Sequence, residues 1–161
     1  MLRKKLVLSL VGLFVLVGAS SAFAELGPEA TAYREKVEPI CKANTEANEK
    51  ILKDARKHVK EGKLKLASQQ LLSAAKALKR ARTQLLAVPK PAEDAARLTK
   101  WLNGVKTEVQ LLEEAGRKLA HNEKNAAQKL VVRLESNARQ TNNLVLKYEF
   151  RYCRFNPSKF L

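Results

Sequence analysis

Apolar residues recur at three- and four-residue intervals along most of the chain from Val37 to Tyr148. That spacing lines one face of an α-helix, and no alternating, strand-like run of useful length comes before the last dozen residues. Four stripes stand out. The first, within Pro28 to Glu61, takes Val37, Cys41, Asn44, Asn48, Ile51, Ala55 and Val59. Pro39 lies inside it, so this helix is expected to kink there or to start anew with Pro39 in its first turn, and Gly62 is expected to end it. The second stripe is Leu64, Ala67, Leu71, Ala74, Leu78, Ala81 and Leu85, and it stops at Val88-Pro89-Lys90-Pro91, where two prolines forbid continuation. The third is Leu98, Trp101, Leu102, Val105, Val109, Leu112, Gly116 and Leu119, with Glu93 and Asp94 ahead of it and Arg117 and Lys118 at its end, each sign matching the helix dipole. The fourth is Ala127, Leu130, Leu134, Ala138, Thr141, Val145 and Tyr148. Long helices joined by short connections run antiparallel to their neighbours. The expected fold is therefore all-α, an up-down-up-down four-helix bundle with its first and last helices adjacent.

The segment ahead of these stripes follows another pattern. Met1 to Lys5 is cationic, Leu6 to Val17 is apolar apart from Ser9 and Gly12, and small residues lead to Ala22-Phe23-Ala24. A basic start, a short apolar run and an A-x-A ending make a secretory leader. The run falls short of the about 20 residues a spanning helix needs; an uncleaved anchor is the alternative. Residues 1–24 are expected to be a signal peptide cleaved after Ala24, and 25–161 one domain in a periplasm, a cell wall or the medium, with no membrane span once the leader has gone.

Export gives the two cysteines an oxidising surrounding. Cys41 and Cys153 are the only pair in the chain, they lack metal-site or haem spacing, and a single bridge is the usual use of two cysteines in a secreted domain. In the expected bundle both fall at one end. Around Cys153 the chain reads YEFRYCRFNPSKFL, which holds Tyr148, Phe150, Tyr152, Phe155 and Phe160, while the rest of the chain after Ala24 has only Tyr33 and Trp101. These rings are expected to plug the open end of the bundle beside the disulfide, either by continuing the fourth stripe or by alternating in an extended tail.

Charge narrows the function classes. The formal net charge of +15 falls to +12 when Arg3, Lys4 and Lys5 leave with the leader. Such a surplus favours anionic partners. From Gly62 to Ala92 there is no acid, against Lys63, Lys65, Lys76, Lys79, Arg80, Arg82 and Lys90. The first six of these are the candidate residues for binding an anionic surface. A further basic excess lies in the last segment, so the bundle should carry two separate basic ridges. That suits an extended anionic envelope polymer or a phospholipid surface better than a specific nucleic-acid groove, because the helix-borne bases lack interleaved aromatics. Most acids have a base four residues on, as in Glu38–Lys42, Glu46–Lys50 and Glu49–Lys53, and these read as solvated helix faces.

Candidate chemistry is sparse. His58 and His121 are the only histidines, no Glu-x-x-His pair is present, and neither a nucleophile elbow nor a glycine-rich phosphate loop can be picked out. No catalytic residue, metal ligand set or cofactor is expected. The one anomaly inside the stripes is polar: Asn44 and Asn48 on the first helix, Thr141 and Asn142 on the fourth. With those helices adjacent they are expected to form a hydrogen-bonded layer that sets register, with a polar ligand pocket as the alternative.

The stretch YREKVEPICKANTEANE, Tyr33 to Glu49, and the FRYCRF around Cys153 resemble small secreted all-helical proteins of high-GC bacteria. The resemblance implies an exported helical architecture and brings no activity or site residues with it. The expected function is non-enzymatic: a binding or structural role at the cell envelope through basic helix faces. The alternatives are a carrier of a small ligand or cofactor in the bundle core and a holdase for exported chains.

Overall fold

The computed structural model describes residues 26–161, so the expected leader lies outside the described residues. These are all-helical, with no strand among them: α1 (Pro28–Ile51), α2 (Ala55–Lys60), α3 (Leu64–Leu86), α4 (Ala95–Ala120) and α5 (Lys124–Asn143), with short 3-10 turns at Ala92–Asp94, Leu146–Tyr148 and Pro157–Lys159. Every member of the second stripe except the half-exposed Leu64 is buried, as is every member of the third and fourth. Burial of these stripes is the main source of helix stability here, since propensity alone seldom holds a helix of this length in water.

The first stripe breaks where the sequence does not suggest it. α1 runs unbroken through Pro39, which costs a helix interior roughly 3 kcal/mol, because Val37 and Cys41 on either side are both buried and hold the register. The interruption comes instead at Leu52–Asp54. Leu52 is fully buried, and Asp54 turns the chain with φ at 62°, a left-handed conformation that Asp adopts more readily than most residues. Gln70 of α3 repairs the opened helix end. Its amide nitrogen donates to the carbonyls of Ile51 at 2.9 Å and Lys53 at 2.7 Å, and its oxygen lies 2.8 Å from Nδ1 of His58 in α2.

The closest helix pairs are α3 with α4 and α4 with α5; α1 and α2 lie on α3, and α1 and α5 barely meet. Two glycines of α4 permit the close approaches. A Cβ at Gly104 would collide with the Thr141 side chain of α5, its Cγ2 lying 2.8 Å away, and one at Gly116 would come within 3.0 Å of Leu72 of α3. The Ser68 hydroxyl adds a bond to the Gly116 carbonyl at 2.7 Å.

The space between α1 and α5 is taken by the C-terminal tail. α5 ends at Asn143, short of the expected Tyr148, so the rings neither continue the helix nor form a strand. The chain passes through a 3-10 turn and a left-handed Glu149, φ 50°. Leaving the helix lets Tyr148 stack on Phe150, centroids 5.1 Å apart, and set its ring edge-on to Tyr33 at 5.7 Å, while Phe150 meets Trp101 at 5.7 Å. Cys153 is bridged to Cys41, with Cα atoms 4.9 Å apart across 112 residues of sequence. None of the expected pairs Glu38–Lys42, Glu46–Lys50 and Glu49–Lys53 forms among the described residues: Glu46 pairs with Lys42 instead, and the tail takes Glu38 and Glu49. Glu38 accepts the backbone N–H groups of Arg151, at 2.6 Å, and Tyr152, and Glu49 pairs with Lys159.

Two stability predictions follow from this packing. Replacing Cys41 and Cys153 together with Ala should lower unfolding stability by about 4–5 kcal/mol, the loop-entropy value for a closure of this length, read as a lower urea midpoint than the oxidised parent. Gly104→Ala should cost about 1–3 kcal/mol by forcing α4 from α5, whereas Gly104→Ala combined with Thr141→Ala, which removes both the hydroxyl and the methyl group that a Cβ would meet, should recover part of that loss.

Candidate functional site

The six candidate surface residues divide by environment. Lys65, Lys76, Lys79 and Arg80 are exposed, and at 3.6 residues per turn they fall within an arc of about 100° on α3. None of the four makes an ion pair among the described residues. Lys63 precedes the helix, with Nζ 2.8 Å from Glu61. Arg82 is half-buried, and its Nε donates to the Leu102 carbonyl of α4 at 2.9 Å. It ties α3 to α4 and is withdrawn from the outer face. An acid-free sequence stretch thus becomes a cationic face on which Lys76, Lys79 and Arg80 lie within about 6 Å along the axis and Lys65 stands about 16 Å from Lys76, flanked by two cations with local partners.

The expected polar layer is only partly assembled, because the tail separates α1 from α5. Asn48 donates within its own helix to Asn44 at 3.3 Å, Asn142 donates to the Phe155 carbonyl of the tail at 2.8 Å, and Thr45 reaches the Tyr152 carbonyl at 3.3 Å. Asn44, Thr141 and Asn142 do line one small cavity beside the disulfide, of about 40 Å³. That suits one or a few waters; sites for organic ligands run to several hundred Å³. Asn48 does not line it.

Glu108 of α4 shares that cavity and was not singled out by the periodicity, although it falls three residues after Val105 and four before Leu112 on the buried stripe. It is 1% exposed. Asn137 of α5 donates to it at 3.4 Å and also reaches the Gly104 carbonyl at 3.0 Å and the Thr141 hydroxyl at 3.3 Å. No base lines the cavity, so burial pushes the Glu108 carboxyl up to about 8, only partly opposed by the Asn137 bond. The Trp101 indole nitrogen and the Asn48 side-chain oxygen, both in buried residues of this end of the core, also lack protein partners.

A second buried carboxylate has the opposite character. Asp94, at the start of α4, accepts the Tyr148 hydroxyl at 2.7 Å and Lys147 Nζ at 2.5 Å. Burial disfavours its charge, but the Lys147 and Tyr148 bonds together outweigh that and hold its carboxyl below the ordinary value. Tyr148 is correspondingly pushed up, first by burial and then by its bond to Asp94. Tyr33, whose hydroxyl has no partner, is raised to about 12 by burial alone. Asp94 thus latches the aromatic plug to α4. His58 is held by Gln70, and His121 stands at the exposed end of α4.

Comparison of the chain with protein-family models, curated proteins and solved structures gives no match.

The Glu108 geometry makes a pH prediction. In the unfolded chain its carboxyl ionises near 4.5, whereas in the fold it keeps its proton up to about 8. Its contribution to stability is therefore fully present below pH 4.5, declines as pH rises between those values, and levels off above the upper one. The decline is on the order of 3–5 kcal/mol. Glu108→Gln removes it, so the variant should gain stability relative to the parent between pH 5 and pH 8.5. Melting curves of the two proteins with parallel pH dependence would sink the assignment.

Proposed function

We propose that the protein is an exported, non-enzymatic up-down-up-down helical bundle that binds an anionic surface at the cell envelope through the outer face of α3. The observation that carries this reading is the grouping of Lys65, Lys76, Lys79 and Arg80 on one exposed face without acid partners. Like charges grouped in this way repel one another, and an anionic polymer or phospholipid surface relieves that repulsion while releasing counterions. The Cys41–Cys153 bridge suits an oxidising compartment. No helix among the described residues is long and apolar enough to cross a membrane. The basic, apolar and small-residue pattern of residues 1–24 supports delivery by a cleaved leader. A cofactor carried in the polar core is disfavoured by the water-sized cavity beside Glu108.

The test is cosedimentation of residues 25–161 with vesicles of phosphatidylglycerol and phosphatidylcholine, and with polyphosphate. Binding should drop steeply between 50 and 300 mM salt. Lys76→Gln, Lys79→Gln and Arg80→Gln together should weaken vesicle binding on the order of 100-fold at low salt, at about 1 kcal/mol for each basic residue near an anionic surface. Equal binding by parent and variant, or binding indifferent to salt, would overturn the reading.

A further inference from the structure

One side of α5 carries two hollows that meet at Glu135. The first, about 440 Å³, has an apolar floor that includes Leu71 of α3, Leu119 of α4, and Val131 and Val132 of α5, and Arg56, Lys60 and Lys124 also line it. Val132 is 59% exposed, off the buried stripe and without an obvious structural reason to be apolar. The second, about 500 Å³, is lined by Arg139 of α5 with Arg151, Arg154 and Phe155 of the tail. The three arginines are exposed and make no ion pair among the described residues. Glu135 is the one acid on the walls of either hollow.

We propose that this trough binds a single-chain anionic amphiphile, its acyl chain in the apolar hollow and its acidic head on Arg139, Arg151 and Arg154. Dimensions and charge both point to that class. The hollow follows α5 for about 16 Å from Lys124 to Glu135, and its apolar stretch, Ala127 to Val132, takes up about 7.5 Å of that length. Its volume falls in the lower half of the range for small-ligand sites, which suits one chain rather than two. Guanidinium groups recognise phosphate and carboxylate by paired, charge-assisted hydrogen bonds. Glu135 stands between head and chain, where it accepts a bond from a glycerol hydroxyl. The trough exists because α5 packs on α4 and leaves α1 to the tail; Arg56 of α2 pins the chain end over it through the Ser158 carbonyl at 3.0 Å and the Leu161 carbonyl. The site is on α5 and does not rest on the α3 reading.

Isothermal titration of residues 25–161 with palmitoyl lysophosphatidic acid below its micelle threshold tests the site, beside monopalmitoylglycerol and inorganic phosphate. The lysophosphatidic acid should bind at least about tenfold tighter than the uncharged lipid, the worth of a charge-assisted contact. It should bind at least about 100-fold tighter than phosphate alone, since phosphate buries no chain. Arg139→Gln with Arg154→Gln should bring the acidic lipid down to the level of the neutral one. Val132→Asp, at an exposed position and checked by melting, should weaken both lipids. The Lys76, Lys79 and Arg80 triple variant should leave the affinity unchanged, so that failure of the α3 reading and failure of this one are separable. Absence of lysophosphatidic acid binding, equal binding of the two lipids, phosphate binding as tightly as lipid, or loss of binding in the α3 variant would each overturn the site.

Discussion

The joining of the C-terminal tail to α1 is the constraint on which the other features depend. α1 and α5 do not pack on each other along their length, so the space between them is filled by something else. Cys41–Cys153 anchors the tail covalently, Glu38 receives its backbone N–H groups, and Asp94 receives Tyr148. Each contact joins residues more than 50 positions apart in sequence. The disulfide limits how far the tail can stray, and the carboxylates bond it in the conformation in which its rings stack. This is why the rings are gathered near the end of the chain. They form the part of the core that the four long helices do not supply.

Most of the helical content was legible because helix burial follows a short-range rule. Positions three and four apart share a face whatever the neighbours are, and the second, third and fourth stripes are buried almost as written. What was not legible is non-local. Pro39 carries a strong local signal for a break, yet the buried Val37 and Cys41 override it. The real break at Leu52–Asp54 has no local marker because Gln70, far along the chain, supplies the lost hydrogen bonds. The end of α5 was misplaced for a similar reason. Val145 and Tyr148 keep helical spacing, and both are buried, but they reach the core from a turn. Periodicity marks which side chains are inside without saying that the backbone between them is helical.

The same distinction explains the site residues. The cysteine pair could be found from count and compartment alone. The cationic face could be found as an acid-free run, although Arg82 needs the structure to show that its guanidinium serves the α3–α4 contact. The polar layer rested on α1 and α5 being neighbours, an assumption about connectivity rather than about residue types. With the tail between them, Asn142 and Thr45 bond tail carbonyls instead of one another.

Glu108 shows what the tail closure has to offset. A carboxyl with one long hydrogen bond, an indole nitrogen and an amide oxygen without protein partners stand at this end of the core. Buried groups of this kind cost stability unless water or another partner satisfies them. The all-helical fold tolerates them next to a disulfide that closes most of the chain, so that the helices cannot separate there without also straining the linked tail. The cavity of about 40 Å³ is then best understood as hydrated. The cavity has room for a water beside Glu108, and burial with no base on its walls favours the protonated carboxyl. The polar end is thus held closed by covalent linkage and aromatic packing, while α5 and the outer side of the same tail border the open trough. Both features arise from one fact of packing: α5 is matched to α4 along its length and to α1 almost nowhere.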